Sequence, residues 1–312
     1  MDKPLNIIIL GGGTAGWMAA NLFIKNWSYK NVSITLVESP NIGIIGVGEG
    51  STPILKRFFK TIEVNESEWM PRCNATYKLN IRFKGWSPHG ATEYSHPFIS
   101  QLDTFTQRAF TVNCLTRRLG LDVHTCPEDF LLNGVLAKYG KGPLTTENFP
   151  FRMEYGYHFD SALLGSFLAE LAVARGVFHR QEKISRASRA ENGDIAALVN
   201  ESGEHIQGDV FIDCSGFASV LMQKTLAVSF KSYKDNLFND SAVVMPSPIT
   251  EKIPSETKAE TMSAGWCWAI PLTSRFGNGY VYSSDFISTE NAEIEFRRHL
   301  GLEHSKIGRA HV

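Results

Sequence analysis

The chain has 312 residues, 43% hydrophobic and 20% charged, which is the composition of a folded protein and of neither a disordered nor a fibrous one. Its length suits one large domain or two smaller ones. The formal net charge is -1 with no basic stripe, so nucleic acid is excluded as the expected partner, and no apolar run is long enough for a membrane span.

Residues 5–10 form an Ile-rich apolar run that reads as a strand buried on both faces of a parallel sheet. Gly11, Gly13 and Gly16 follow in GxGxxG spacing. Ala15, Met18, Ala19, Leu22 and Phe23 then recur at helical spacing, and a second strand, 32–37, ends at Glu38. The order is specific. Gly11 permits the turn, Gly13 lets backbone approach a pyrophosphate, and Gly16 lets the helix pack close. The helix N-terminus, at Thr14 and Ala15, offers free N–H groups and partial positive charge to phosphates. Glu38 is placed to accept from a ribose diol. A glycine turn without a ligand would leave Glu38 unexplained. The unit by itself leaves FAD and NAD both open.

Further along, Thr52 and Pro53 suit the cap and first position of a helix. Asp160 could cap a helix through Leu163, Leu164, Phe167, Leu168, Leu171 and Ala172 that Gly176 stops. Strand-like pieces follow at about 177–189, 195–200 and 204–207, with Asn192-Gly193 and Ser202-Gly203 at their turns. Residues 208–216 then read as an apolar strand ending in Asp213 and small residues. A β-meander crossover before a returning strand resembles the large FAD-binding fold of the aromatic hydroxylases. The expected class is therefore α/β, an FAD/NAD(P)-binding three-layer fold with a parallel sheet and a β-meander crossover. Asp213 would approach the flavin, cap a helix over 217–226, or do both.

Certain motifs narrow this further. Gly11-Gly12-Gly13-Thr14-Ala15-Gly16-Trp17, the segment from Ile45 through Gly46-Val47-Gly48-Glu49-Gly50-Ser51-Thr52-Pro53, Trp69-Met70-Pro71, then Tyr77-Lys78, Ile81, Phe83 and Trp86 come in sequence. Gly265-Trp266-Cys267-Trp268-Ala269-Ile270-Pro271 carries a WxWxIP pattern, followed by Arg275-Phe276-Gly277 and Val281-Tyr282-Ser283-Ser284. On these residues the chain resembles the flavin-dependent tryptophan halogenases from residue 5 to about 304.

The resemblance implies FAD as cofactor, arriving as diffusible FADH2 from a separate NAD(P)H-dependent flavin reductase. With oxygen it oxidises chloride or bromide to hypohalous acid, which passes through a tunnel to an electron-rich aromatic such as tryptophan or an indole. Lys78 matches the family's catalytic lysine. An ammonium there can donate to the oxygen of hypohalous acid, and an uncharged amine can form a haloamine. Read alone, Lys78 is a solvated strand lysine. The resemblance assigns cofactor contacts to Gly11, Gly13, Thr14, Ala15, Gly16, Glu38, Val47, Glu49, Gly50, Ile184 and Asp213. Trp266 and Trp268 would wall the flavin from the organic substrate, and they also fit two core tryptophans on one strand face. His96 and Phe98 match a pair that sandwiches the aromatic ring, or else form a surface turn.

His89, His124 and His158 make no metal-like spacing, and no metal site is expected. No second fingerprint for NADPH follows. The cysteines, Cys73, Cys114, Cys126, Cys214 and Cys267, are odd in number and make no CxxC pair, which reads as reduced thiols in a cytoplasmic protein. The first residues do not read as a secretory leader. A homodimer is compatible with the family.

The resemblance also implies a longer protein, with a Pro-Leu-Glu-Ser segment and a C-terminal substrate-binding part that are absent here. The expected organisation is a halogenase core over 1–306, a substrate-side insertion at about 86–155, and a non-native tail at 307–312. A chain of this kind is expected to halogenate poorly. Two other readings stay open: a flavin monooxygenase, and an inactive FAD-binding fragment.

Overall fold

The computed structural model describes residues 3–28, 30–41, 43, 46–87, 92–304 and 310–311. Ile45, His89, residues 307–309 and Val312 lie outside the described residues. The chain divides into two units, one from 1–46, 58–73 and 161–232, the other from 47–57, 74–160 and 233–312.

The first unit is built on a parallel sheet in the order Val210–Asp213, Leu5–Leu10, Val32–Glu38, Phe178–Gln181. Ile7, Ile8, Ile9 and Leu10 are all buried, as a strand covered on both faces requires. Ile8 and Leu10 pack with Leu198 and Ile206 of a three-stranded antiparallel meander, Ile184–Arg189, Ile195–Asn200 and His205–Gln207. Ile7 and Ile9 point to the opposite face by strand alternation. The helix Thr14–Trp27 packs against the helix Ser161–Ala174, and buried Asn21 ties them by donating to Trp17 O and Leu168 O at 2.9 and 2.8 Å. These are the parallel sheet and meander that the sequence leads one to expect.

Two local expectations need correction. The piece at 177–189 is two strands: Phe178–Gln181 completes the parallel sheet, and Ile184–Arg189 starts the meander. The segment 217–226 is not one regular helix. Gly216–Ala218 is a 3-10 turn and Val220–Thr225 a π-helical turn, separated at Ser219, whose φ is +39°. Asp213 explains the break. Its carboxylate accepts from the backbone N–H of Ser215, Leu221 and Met222, so it ties up the donors that open the second turn.

The second unit holds a seven-stranded sheet, in the order Ala310–His311, Ser241–Ser247, Phe276–Tyr282, Gly265–Pro271, Glu256–Met262, Asn80–Lys84, Glu93–Pro97. A smaller sheet joins Glu49–Gly50, Gly156–Phe159 and Thr76–Lys78. Alternation sorts the large sheet's side chains. Cys267 faces a core with Val243, Met245, Tyr280, Tyr282 and Phe296, the last from the helix Thr289–Leu300, whereas Trp266 and Trp268 take the other face. On Asn80–Lys84, Ile81 and Phe83 share a face and Arg82 takes its opposite. There the Arg82 guanidinium donates to Glu256 at 2.7 Å and to Glu128 at 3.0 Å, pinning the 126–129 segment to the sheet.

Candidate active site

In the first unit the glycine turn has the geometry of a phosphate cradle. Gly11 has φ of +114°, and a Cβ there would lie 2.1 Å from Cys214 O, so no other residue fits. Gly13 is the N-cap of Thr14–Trp27 with no side-chain cap, and a Cβ on it would meet nothing within 4 Å. That leaves an open approach to the uncapped N–H groups of Thr14, Ala15 and Gly16. Buried Ser161 adds a hydroxyl with no partner among the described residues, while its carbonyl accepts from Thr14 Oγ1 at 3.3 Å. These residues fit a pyrophosphate. Glu38 lies beside the turn: its carboxylate is 2.7 Å from His179 Nε2, and a Cβ on Gly12 would overlap it. Asp213 sits opposite Leu10 at the C-terminal end of its strand, where ligands of open parallel sheets bind. Ile184 packs into the apolar core beneath.

In the second unit a pocket of about 400 Å³ is lined by Val47, Glu49, Gly50, Lys78, Thr257 and the aromatic group Phe83, Trp86, Trp266 and Trp268. Register explains the aromatic wall. Phe83 pairs with Ala259, and Ala259 with Trp268, so small Ala259 lies between two large rings on one face. Trp266 and Trp268 have centroids 6.0 Å apart, and Trp86 lies 6.1 Å from Trp266. Arg275 secures the near edge, donating to Val47 O at 3.0 Å and to Asp160 at 3.1 Å. A larger, polar recess of about 620 Å³, lined among others by Arg117, Asp122 and His124, contains none of the residues that the sequence assigned to cofactor, catalysis or substrate.

Lys78 ends its strand inside this pocket at 5% exposure, which rules out the solvated strand lysine. Among the described residues no hydrogen bond or ion pair reaches Nζ, and the Phe98 ring centroid lies 5.8 Å away. Burial pushes its amine down to about 8, because the charged form loses its hydration. Glu49 is shifted upward, first by burial and then by Asp160. His158, fully buried, is held well below the ordinary imidazole range by burial and then by the charge of Lys78.

The structure thus gathers Lys78, Val47, Glu49, Gly50, Trp266 and Trp268 around one pocket, and Gly11, Gly13, Thr14, Ala15, Gly16 and Glu38 around one turn. Phe98 is half-buried near the amine. His96 is exposed, with its ring 6.5 Å from that of Phe83. Sequence reasoning missed Thr76, His179 and Thr257, and weighed His158 only as a metal ligand. Only alternation along short strands hints at the threonines, and nothing local marks the histidines.

A glycine turn at a helix N-terminus, an acid closing the second strand and a meander crossover define the FAD/NAD(P)-binding α/β class. Within that class the chain belongs to the tryptophan halogenase family, whose model matches residues 6–310; the family is flavin-dependent. It is 38% identical to tryptophan 6-halogenase SttH of Streptomyces toxytricini, covering 99% of this chain and 63% of that protein. It is 34% identical to tryptophan 7-halogenase RebH of Lentzea aerocolonigenes, over 93% of this chain and 58% of that one. The crystal structure of SttH superposes with a TM-score of 0.86 at 35% identity, covering all of this chain and 64% of that one. BrvH, a flavin-dependent halogenase from Brevundimonas sp. BAL3, gives 0.84 at 29% identity, covering all of this chain and 63% of that one. The chain therefore spans somewhat under two thirds of the relatives it matches. Among the described residues no helix is long and apolar enough to cross a membrane.

Proposed function

We propose that this chain carries the FAD-binding and reactive-amine parts of a halogenase acting on an electron-rich aromatic, tryptophan or indole-like. The observation that carries this reading is the Lys78 amine, without a hydrogen bond or ion pair among the described residues and buried among Phe83, Phe98, Trp266 and Trp268. When bound as FADH2 from a separate flavin reductase, the cofactor supplies, with oxygen, the oxidation of halide to hypohalous acid. The turn at Gly11 and Gly13 would hold its pyrophosphate against the helix N-terminus, with Gly16 letting that helix pack close, and Glu38 would accept from its ribose.

Lys78 does the rest from this chain. As ammonium it donates to the hypohalous oxygen and draws electron density from the halogen, easing attack by the ring. As free amine it attacks the halogen of hypohalous acid, the O–halogen bond breaks, and the hydroxide leaves with the amine's proton as water, giving a haloamine. With its amine at about 8, both forms are populated near neutrality. Charge-directed help of this kind is worth roughly 10²-fold or more in rate. Trp266 and Trp268 keep the aromatic substrate off the cofactor, which selects halogenation over direct hydroxylation.

The test supplies the protein with FAD, a flavin reductase, NADH, bromide and indoles, and reads product mass. Lys78→Ala is expected to lose brominated product while keeping FAD binding. Bromination that survives in Lys78→Ala, or a hydroxylated product made whether or not bromide is present, overturns the reading.

A further inference from the structure

Behind Lys78 lies a hydrogen-bond chain whose direction is determined by its end. Thr76 Oγ1 is 2.6 Å from Pro271 O, and a carbonyl can only accept, so the one hydroxyl proton of Thr76 goes there. Thr76 Oγ1 is also 3.0 Å from His158 Nδ1 and must accept from it. Nδ1 therefore carries the proton. His158 is fully buried beside a lysine, which keeps its ring neutral, so Nε2 is a bare lone pair. Thr257 Oγ1 lies 2.9 Å from that nitrogen and must donate to it. With its only proton spent there, Thr257 offers the Lys78 pocket lone pairs alone.

Thr257 and Lys78 converge beside Gly50. A methyl built on Gly50 would lie 3.0 Å from Lys78 Nζ and 3.3 Å from Thr257 Oγ1, with His158 Cδ2 at 3.6 Å. The missing side chain leaves room between a donor amine and an obligate acceptor. A small molecule with one O–H has the complementary pattern: its oxygen accepts from the amine, and its proton goes to Thr257. Hypohalous acid is such a molecule, as is water.

We propose that Thr257 is a positioning residue that accepts the O–H of hypohalous acid held on Lys78, and that His158, through Thr76 and the carbonyl of Pro271, makes it an acceptor only. This rests on the reading of Lys78 as the reactive amine. With both ends of the O–H held, the halogen is the one end left free to face the ring. Of the titratable groups around the amine, Glu49 lines the same pocket, Asp160 is paired with Arg275, and His96 is exposed on the edge strand. Glu256, Lys258 and Glu260 alternate away from Thr257 to the sheet's other face.

The first test needs no turnover. In protein labelled with ¹⁵N-histidine and ¹³Cε-lysine, His158 should show a protonated Nδ1 and a bare Nε2, unchanged across neutral pH. Thr257→Val keeps shape but removes the acceptor, and should lower the Lys78 midpoint by roughly half a pKa unit or more. Thr257→Ser keeps the hydroxyl and should titrate as the parent does. A His158 Nε2–H tautomer, an unmoved Lys78 in Thr257→Val, or a Thr257→Ser that shifts like Thr257→Val overturns the proposal. In turnover, Thr257→Val should release more hypohalous acid to a diffusible trap per ring halogenated. If Lys78→Ala still halogenates, the reactive-amine reading fails whatever the titrations show. If Lys78→Ala is dead and Thr257→Val matches Thr257→Ser in titration, only the role of Thr257 fails.

Discussion

The burial of Lys78 sets stability against the chemistry proposed for its amine. Folding takes its amine from 10.5 to about 8, so at neutral pH the native state carries a charge it would rather shed. That difference corresponds to ~3 kcal/mol of destabilisation. Lys78→Met, an apolar chain of similar length, should therefore be the more stable protein at about pH 7. The sign follows from proton counts: between about 8 and 10.5 the unfolded chain holds a proton at this site that the folded chain does not. Wild-type stability should rise toward that of Lys78→Met across this window. Urea denaturation of both proteins through the range checks it, and a constant difference sinks it. Gly50 makes a second point at the same scale. The nearest atom to its absent Cβ is the tip of a flexible side chain, so Gly50→Ala should fold normally. Its methyl would nevertheless push the amine away from Thr257, and an ångström of displacement can cost up to ~100-fold in rate. Melting temperature and halogenation rate measured together separate the two effects.

The paired strands Gly265–Pro271 and Phe276–Tyr282 show how an element, rather than a residue, builds the aromatic wall. Trp268 lies opposite Gly279, and a Cβ on Gly279 would sit 2.1 Å from the indole. The glycine is the floor on which the ring lies. Gly279→Ala should destabilise the protein by about 1–3 kcal/mol, the usual cost of overpacking, or swing the indole out. Either way the tryptophan emission should change. Gly142→Ala, whose Cβ would meet nothing within 4 Å, is the matched control and should leave emission and melting alone.

At the scale of the whole molecule, the proposed cradle would tie folding to cofactor binding. Gly13 is an uncapped helix N-cap with open space beyond it. Gly13→Asp places an acceptor where helices favour one, so without ligand the protein should be as stable as the parent or slightly more so. The same carboxylate fills the cradle and repels a pyrophosphate. FAD at about 100 times its dissociation constant should stabilise the parent by ~2.7 kcal/mol and Gly13→Asp not at all. Thermal melts with and without FAD decide this, and stabilisation of both proteins would remove the cradle from the account.

Local patterns made much of the first unit legible. An apolar run, glycines at fixed spacing and a following acid each act through neighbouring backbone, so order along the chain carries their meaning. The parallel sheet and meander followed from them, and the WxWxIP and Lys78 motifs carried the resemblance. The split of 177–189 was not legible, because a strand changes sheets through partners far away in sequence. Nor were the environments of Lys78 and His158. A lysine in a short strand is ordinarily solvated, and only strands from 49–50, 156–159 and 256–262 closing around it strip its water. The direction of the Thr257–His158–Thr76 chain depends on a carbonyl at position 271, 195 residues from Thr76. The sequence by itself determined the class of fold, because turn glycines, flanking strands and a closing acid reside in local order, and it pointed to Lys78 only through the resemblance. Tertiary structure decided burial, protonation and hydrogen-bond direction, because desolvation and partner atoms exist only once distant segments meet.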